Sequence, residues 1–272
     1  MAELSLDYTP HYRWEWFRRA QWQGSFRERK RASCGGFAEL VRERGLADEP
    51  VLDCSCGLGL KTIVLREAGL RVEGSDKCAL AVEHARLLAA EEGHPGLHFF
   101  VSTWEDLPAA TGVRYAAVFN DALSWVDSGE EMAASVRGLH DVLRPGGLLV
   151  YQGAQPGSHG DRAALLDAQW QAMLAEHGRC GLGFRASDGA RTVQEILVHE
   201  RGPHYVDRHH LYLIEEPGQE PRLEATTMRH GCKWDWCLIE PHLRAAGFTG
   251  FGVKSSTAAD GRVRQFVVAE RE

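Results

Sequence analysis

The stretch Val51 to Thr62, Val-Leu-Asp-Cys-Ser-Cys-Gly-Leu-Gly-Leu-Lys-Thr, limits the folds open to this chain more than any other. A short apolar run, Val51-Leu52, enters a tight polar turn with Gly57 and Gly59, and an apolar helical pattern, Ile63-Val64-Leu65, follows. This reads as strand, glycine turn, helix. Glycine has no Cβ, so the backbone bends sharply there and approaches a ligand closely. The free N–H groups that open the next helix then point at whatever occupies the turn. Further on, Leu70 to Ser75 reads as a second strand that ends at Asp76. An acidic residue roughly 20 residues beyond such a turn is placed to accept hydrogen bonds from ribose hydroxyls. The competing role is a helix N-cap before Cys78-Ala79.

Two kinds of nucleotide cofactor suit a turn of this type, and similar turns also occur in α/β proteins that bind none. A dinucleotide site wants G-x-G-x-x-G, its last glycine allowing close helix–strand packing. Here that position is Thr62, and the turn is preceded by Asp53 and Cys56. The form Asp-x-x-Cys-Gly-x-Gly resembles motif I of the class I S-adenosylmethionine (SAM)-dependent methyltransferases. It suits a ligand without a pyrophosphate: a sulfonium, an amino acid tail and one nucleoside.

The chain has 272 residues, 44% hydrophobic and 25% charged, ordinary values for a soluble globular protein of one or two domains. A net charge of −7 argues against a general nucleic-acid binder, which needs a basic surface for phosphates. The basic run Arg27 to Arg31 reads as a solvated helix face or a local anion site. No signal-peptide or membrane-spanning hydrophobic run is evident. The seven scattered cysteines then read as reduced thiols, and the expected location is the cytoplasm. Cys54 and Cys56 are too close for the usual zinc pair, and His230, Cys232 and Cys237 lack a second pair, so no metal site is expected.

Residues 1–36 form an aromatic N-terminal segment with Tyr8, Tyr12, Trp14, Trp16, Phe17, Trp22 and Phe26. A helical pattern starts near Trp14, with weak points at Gly24 and at Gly35-Gly36, and Phe37 to Arg44 reads as a helix. Such an aromatic stripe is either core or a cover that closes over a site. Residues 37–272 read as the main domain. Strands are expected at 50–53, 70–75, 97–102, 115–120 and 148–152, and helices at 60–68, 77–92 and 129–143. Arg144-Pro145-Gly146-Gly147 reads as a turn. Repeated βα units imply a parallel sheet with ligands at the carboxyl ends of its strands. Residues 153–230 break the alternation: a helix at 161–177, then three antiparallel strands, Thr192–His199, Tyr205–Glu215 and Arg222–Arg229. A helix from Trp234 to Ala246 and a final hairpin, Thr249–Ser255 and Arg264–Glu270, turning at Asp260-Gly261, complete the chain.

This order resembles the seven-stranded Rossmann-like class I methyltransferase sheet with its terminal antiparallel hairpin. The aromatic N-terminal cover and the small antiparallel insert are similar to the glycine/sarcosine N-methyltransferase group. The resemblance implies SAM as cofactor and a small-molecule acceptor, with neither nucleic acid nor membrane as partner. Ser55, Cys56 and Gly57 would wrap the methionine part. Asp76, with Lys77 beside it, would hold the ribose. Thr103, Trp104 and Glu105 match the adenine stretch, with Thr103 standing where the group has Asn. Phe119, Asn120 and Asp121 would line the cofactor's amino acid end and the substrate entrance, with Ser124 and Trp125 close by. Trp22 and Arg29 would approach its tail, Arg29 pairing the carboxylate.

One departure stands out. The group carries a substrate-gripping Arg just after strand five, where this chain has Gly153, the nearest basic residue downstream being Arg162. Glycine itself is therefore in doubt as acceptor. Tyr8, Tyr12, Trp125 and Tyr212 are the aromatics expected around the transferred methyl, stabilising a methylammonium by cation–π attraction. Among His204, His209 and His210, one is a candidate base; the alternative is surface histidines. The expected reaction is N-methylation of a small amine, with O-methylation and a non-catalytic SAM-binding protein as alternatives. The aromatic segment would also suit exchange between subunits of a homo-oligomer.

Overall fold

Val51 and Leu52 are completely buried, and the strand they begin lies inside a seven-stranded sheet. The computed structural model of the protein describes residues 7–22, 24–126, 128–152, 162–202, 205–230, 236–257 and 263–272. In chain order its elements are α1 (Thr9–Phe17), α2 (Gly24–Glu43), β1 (Pro50–Asp53), α3 (Leu60–Glu67), β2 (Arg71–Asp76), α4 (Ala79–Glu91) and β3 (Phe99–Val101). Then come α5 (Leu107–Ala110), β4 (Tyr115–Asn120), α6 (Gly129–Val142), β5 (Leu143–Tyr151), α7 (Arg162–His177) and β6 (Cys180–Ser187). The last are β7 (Thr192–Arg201), β8 (Val206–Glu215), β9 (Arg222–His230), α8 (Trp236–Ala245), β10 (Phe248–Thr257) and β11 (Val263–Arg271).

The chain divides into two compact units, Met1–Trp22 with Gly160–Lys233, and Gln23–His159 with Trp234–Glu272. The second unit holds the large sheet, in the order β10-β11-β5-β4-β1-β2-β3. Strands β1 to β5 are parallel neighbours, while β11 runs antiparallel to both β5 and β10. This is the expected α/β architecture. Every residue of β4, Tyr-Ala-Ala-Val-Phe-Asn, is buried, as a strand covered on both faces requires. One face packs Leu52, Val118 and Leu149 against Met132 and Leu139 of α6 and Ile239 of α8. The other packs Val51, Phe119 and Val150 against Phe37, Leu40 and Val41 of α2 and Val64 of α3.

The first unit is built around an antiparallel sheet, β6-β7-β8-β9, with α1 and α7. Trp14 of α1 packs with Val193, Tyr212 and Ile214 as its small core. Trp14 Nε1 donates to Glu224 Oε2 at 3.0 Å, Arg13 pairs with the same carboxylate at 2.8 Å, and Thr226 Oγ1 donates to the Asp7 carbonyl at 2.5 Å. Those three contacts fasten α1 to β9.

Several expectations are corrected. The first helix starts at Thr9, not near Trp14, with Pro10 in its first turn, where a missing N–H costs nothing. Helix α2 runs straight through Gly35-Gly36, because its buried stripe of Cys34, Phe37, Ala38, Leu40 and Val41 outweighs the glycines' poor propensity. Arg144 to Gly147 is a bulge inside β5, not a turn before it: the register on β4 slips between Tyr115 and Ala117. A Cβ on Gly147 would sit 2.7 Å from the Arg144 carbonyl, so the bulge needs glycine there. Strand β6 and the short α5 were not expected; β6 has one well-buried side chain, Ala186, and so shows little alternation. The Asp260-Gly261 turn lies outside the described residues. Among the described residues no helix is long and apolar enough to cross a membrane, and no group of three potential metal ligands occurs.

Candidate functional site

The glycine turn after β1 closes on the end of β2. Gly57 and Gly59 adopt φ of +54° and +84°, conformations that side chains rarely tolerate. Gly59 is required twice over, since a Cβ there would lie 2.8 Å from Ala85 Cβ of α4. The Asp76 carboxylate links the two segments: Oδ2 accepts the Gly57 N–H at 3.0 Å and Oδ1 the Cys78 N–H at 2.9 Å. Cys78, not Asp76, is the N-cap of α4. Burial pushes the Asp76 carboxyl above the usual carboxylate range, and the two N–H donors pull it back. The Cys56 N–H reaches the Ser75 carbonyl at 3.0 Å, and the buried Ser75 hydroxyl has no hydrogen-bond partner among the described residues. Thr62 explains the missing third glycine: its Oγ1 donates to Asp53 Oδ2 at 2.8 Å, so the side chain itself ties helix to strand.

Beside the turn lies a buried charge cluster. Lys61 Nζ is 2.6 Å from Asp121 Oδ1 and 3.8 Å from Asp53 Oδ1. Ser55 Oγ donates to the same Asp121 oxygen at 2.8 Å. Burial works against a charged Lys61, but Asp121 and Asp53 outweigh it and hold the ammonium firmly protonated. Burial likewise opposes the Asp121 carboxylate, yet Lys61 and Ser55 bring it below the usual range. Lys30 of α2 is pushed the other way, its ammonium disfavoured by burial and by Lys61. Asp121 was expected at the cofactor's amino acid end; Lys30, Lys61 and Asp53 were not among the expected binding residues. The signal in the sequence was a lysine at position 61 inside an apolar run, where a helix buries whatever it carries.

Arg29, expected at the cofactor tail, is exposed, its guanidinium 5.4 Å from the Phe26 ring. The phase of α2 turns Lys30 inward instead. The run from Arg27 to Arg31 is largely the solvated face expected, with Glu28, Arg29 and Arg31 exposed, but it also carries ion pairs: Arg27 with Glu67 and Glu92, and Arg31 with Glu67, tie α2 to α3 and the end of α4.

At the tip of β3, Thr103 Oγ1 donates to Asp106 Oδ2 at 2.7 Å, Trp104 is half-buried, and Glu105 is exposed. Trp104 Nε1 donates to the Cys54 carbonyl at 2.7 Å, which fixes the indole at the end of β1. Gly138 of α6 makes room, since a Cβ there would lie 2.0 Å from the Trp104 carbonyl. Lys77 is exposed beside Asp76. Phe119 is a correction: strand alternation sends its fully buried ring toward Phe37, at 5.2 Å between centroids, and into the core. Asn120 is also occupied locally, its Oδ1 accepting the Ala122 and Leu123 N–H groups at 2.9 and 2.7 Å. Trp125 is half-buried in a single 3₁₀ turn, Leu123–Trp125, that also holds Ser124.

Tyr8, Tyr12, Trp22 and Tyr212 all belong to the first unit. The first three are half-buried; Tyr212 is completely buried against Trp14 and is a core residue there, not an exposed aromatic. His209 and His210 are 8% and 6% exposed, so neither is a surface histidine. Gly153 and His204 lie outside the described residues.

The residues of the second unit fit SAM. A carboxylate at the tip of β2 beside a glycine backbone suits a ribose, and buried ammonium and carboxylate groups suit a zwitterionic amino acid tail. Residues 51–147 match the family model described as "Methyltransferase domain". A malonyl-[acyl-carrier protein] O-methyltransferase of Pectobacterium atrosepticum is 31% identical over 146 residues, 50% of this chain and 53% of that protein. The chain spans about half the length of the curated relatives it matches. Among solved structures, a sugar N-methyltransferase from a Streptoalloteichus species superposes with a TM-score of 0.65 at 19% identity, covering 100% of this chain and 95% of that one. A SAM-bound amino pentose methyltransferase from Micromonospora echinaspora gives 0.56 at 18% identity, covering 100% of both chains. Residues 51–147 thus match a methyltransferase domain model, and the chain shares the fold of these solved methyltransferases.

Proposed function

We propose that the protein transfers a methyl group from SAM to the nitrogen of a small-molecule amine. The observation that carries the reading is the Asp76 carboxylate, which binds the Gly57 backbone and closes the end of β2 into one cradle. Bound there, SAM supplies an electrophilic methyl whose transfer is an in-line displacement. The chain's own work is to align the acceptor and exclude water. Lys30 is our assignment for the counter-ion of the cofactor's carboxylate, since burial disfavours its ammonium and no carboxylate lies at hydrogen-bond distance from it among the described residues, while Lys61 is committed to Asp121.

A nitrogen acceptor is favoured by the solved structures similar over the whole chain, which include a sugar N-methyltransferase and an amino pentose methyltransferase. The curated relatives, matched over half their length, are O-methyltransferases, and O-methylation is the second reading. Calorimetry with SAM and S-adenosylhomocysteine tests the cofactor; no binding of either refutes the proposal. Product mass spectrometry on a panel of amino sugars, amino acids and phenols separates nitrogen from oxygen as acceptor.

A further inference from the structure

The two most exposed large apolar side chains among the described residues, Leu182 and Leu223 at 72% and 59%, belong to one face of the four-stranded sheet. Partners across an antiparallel ladder point to the same side, so the register defines that face. Leu182 of β6, Ile196 of β7, Leu211 of β8 and Ala225 of β9 are successive partners and make one row across all four strands. Arg185, Gln194, Leu213 and Leu223 make the next. Within these rows Ile196, Leu211, Leu213 and Ala225 are half-buried, as side chains shielded by their neighbours on a sheet would be. Both α-helices of this unit pack on the opposite face. That face holds Val193, Tyr212 and Ile214 against Trp14 of α1, Val206 against Leu166 and Met173 of α7, and the 2.7 Å contact of Glu195 with His210.

The charges on the leucine face stand at its two ends and are paired. Arg185 lies 3.9 Å from Glu215 at one end, and Arg229 lies 2.9 Å from Asp207 at the other. An apolar centre with a polar margin is the anatomy of a protein interface. Because those pairs balance, the face lacks the excess of basic residues that draws a nucleic acid or an anionic membrane. It is also a broad ladder surface, where a small ligand needs a concave site.

The face does match itself. Turned over about an axis along the strands, a copy of the sheet lays its β6 across β9 of the first. Each Leu182 then comes to a Leu223, while Ile196 and Leu211 meet in the middle. Strands are about 4.8 Å apart and residues on one face about 6.8 Å apart along a strand, so the open part measures about 19 Å by 27 Å, from the Thr192–Glu215 pair to the Cys180–Val198 pair. Two copies face to face would bury about 1,000 Å² in all, the level a specific interface has to reach.

We propose that this face binds a second copy of the chain, giving a two-fold dimer in which the two four-stranded sheets pack against each other. The contact is isologous: whatever Leu182 of one copy touches on the other, the other's Leu182 touches on the first. The right-handed twist of each sheet sets the two strand directions about 30° apart. An interface of this modest area holds with about micromolar affinity, so the dimer should come apart on dilution.

The test uses the full chain. Sedimentation equilibrium from about 1 to 100 µM should give, at the upper end, twice the 30.2 kDa mass of one chain. A protein that stays monomeric at about 100 µM overturns the proposal and leaves the face to a partner of another kind. Leu182→Glu and Leu223→Glu change exposed side chains, so circular dichroism should be unaltered, and each should raise the dissociation constant at least tenfold. Leu87→Glu, at a leucine 47% exposed on α4, should leave it within twofold. A dimer that both sheet variants leave intact overturns the proposal, because the copies then meet elsewhere. Mixing Leu182→Glu with Leu223→Lys should restore association, since one Leu182–Leu223 contact becomes an ion pair and the other stays native. Failure to restore it overturns the crossing of β6 over β9.

Discussion

The Lys61 ammonium lies 2.6 Å from Asp121 Oδ1 in a setting where its side chain is only 6% exposed. The lysine is on the helix after the glycine turn and the aspartate follows the end of β4, so this one contact joins the tips of two strands across the candidate cofactor cradle. A buried pair of this type is costly to break, because the surviving partner keeps its desolvation penalty.

Lys61→Met should therefore destabilise the protein by about 3 kcal/mol, since it leaves both Asp53 and Asp121 without their cation. Urea unfolding followed by circular dichroism reads this directly. A loss below about 0.5 kcal/mol, the range of ordinary surface changes, would show that the pair is not the lock described here.

The same pair sets a dependence on pH. Asp121 is held below its ordinary carboxylate range in the folded protein, although burial opposes it. Its contribution is whole above the unfolded value of about 4 and drains away as the pH falls through the lower folded value. The stability gap between wild type and Asp121→Asn should be constant from about pH 5 to neutrality and narrow toward more acid conditions. Unfolding midpoints measured across that range check the sign.

Asp76→Ala removes the acceptor of both the Gly57 and the Cys78 N–H groups. We expect S-adenosylhomocysteine affinity to fall at least tenfold, as calorimetry would read it, with circular dichroism unchanged. Gly57→Val tests the turn itself, by placing a branched side chain at φ +54° where backbone should approach the ligand. Normal affinity in either variant would move the site elsewhere.

Lys30 and Arg29 are adjacent on α2 but face different surroundings. Lys30→Met should weaken S-adenosylhomocysteine binding about tenfold or more, the scale of one lost charge-assisted hydrogen bond. Arg29→Ala should leave it within twofold. The reverse ranking would return the carboxylate to Arg29.

Much of the large sheet was legible because its determinants are local. The apolar runs at Val51 and Tyr115, the turn glycines and the helix stops at Gly93 and Pro95 each act within a few residues, and β1, β2, β4, α3 and α4 fall where those signals put them. Tertiary packing decided what local signals could not. Gly35-Gly36 looks like a break until Phe37 and Val41 are seen in the core, and Arg144 to Gly147 looks like a turn until the β4 register reveals a bulge. At the candidate site, the local turn was legible and the long-range contacts were not. Asp76, Ser55 and Gly57 follow from the turn's spacing, but the inward phase of Lys30, the burial of Phe119 and the pairing of His210 with Glu195 depend on contacts between segments far apart in sequence.

The first helix is fastened to Glu224, a residue 210 positions after Trp14. On the ribosome, where synthesis runs from the N-terminus, α1 must wait with Trp14 unburied until β9 has been made, while the intervening strands of the large sheet can already associate. Helix α1 is thus made well before the strand that holds it and is among the last elements to find its place. Cutting the chain after Phe17 would expose the Tyr212 side of a sheet encoded near the other end, so an N-terminal truncation should first be felt as aggregation of the four-stranded sheet.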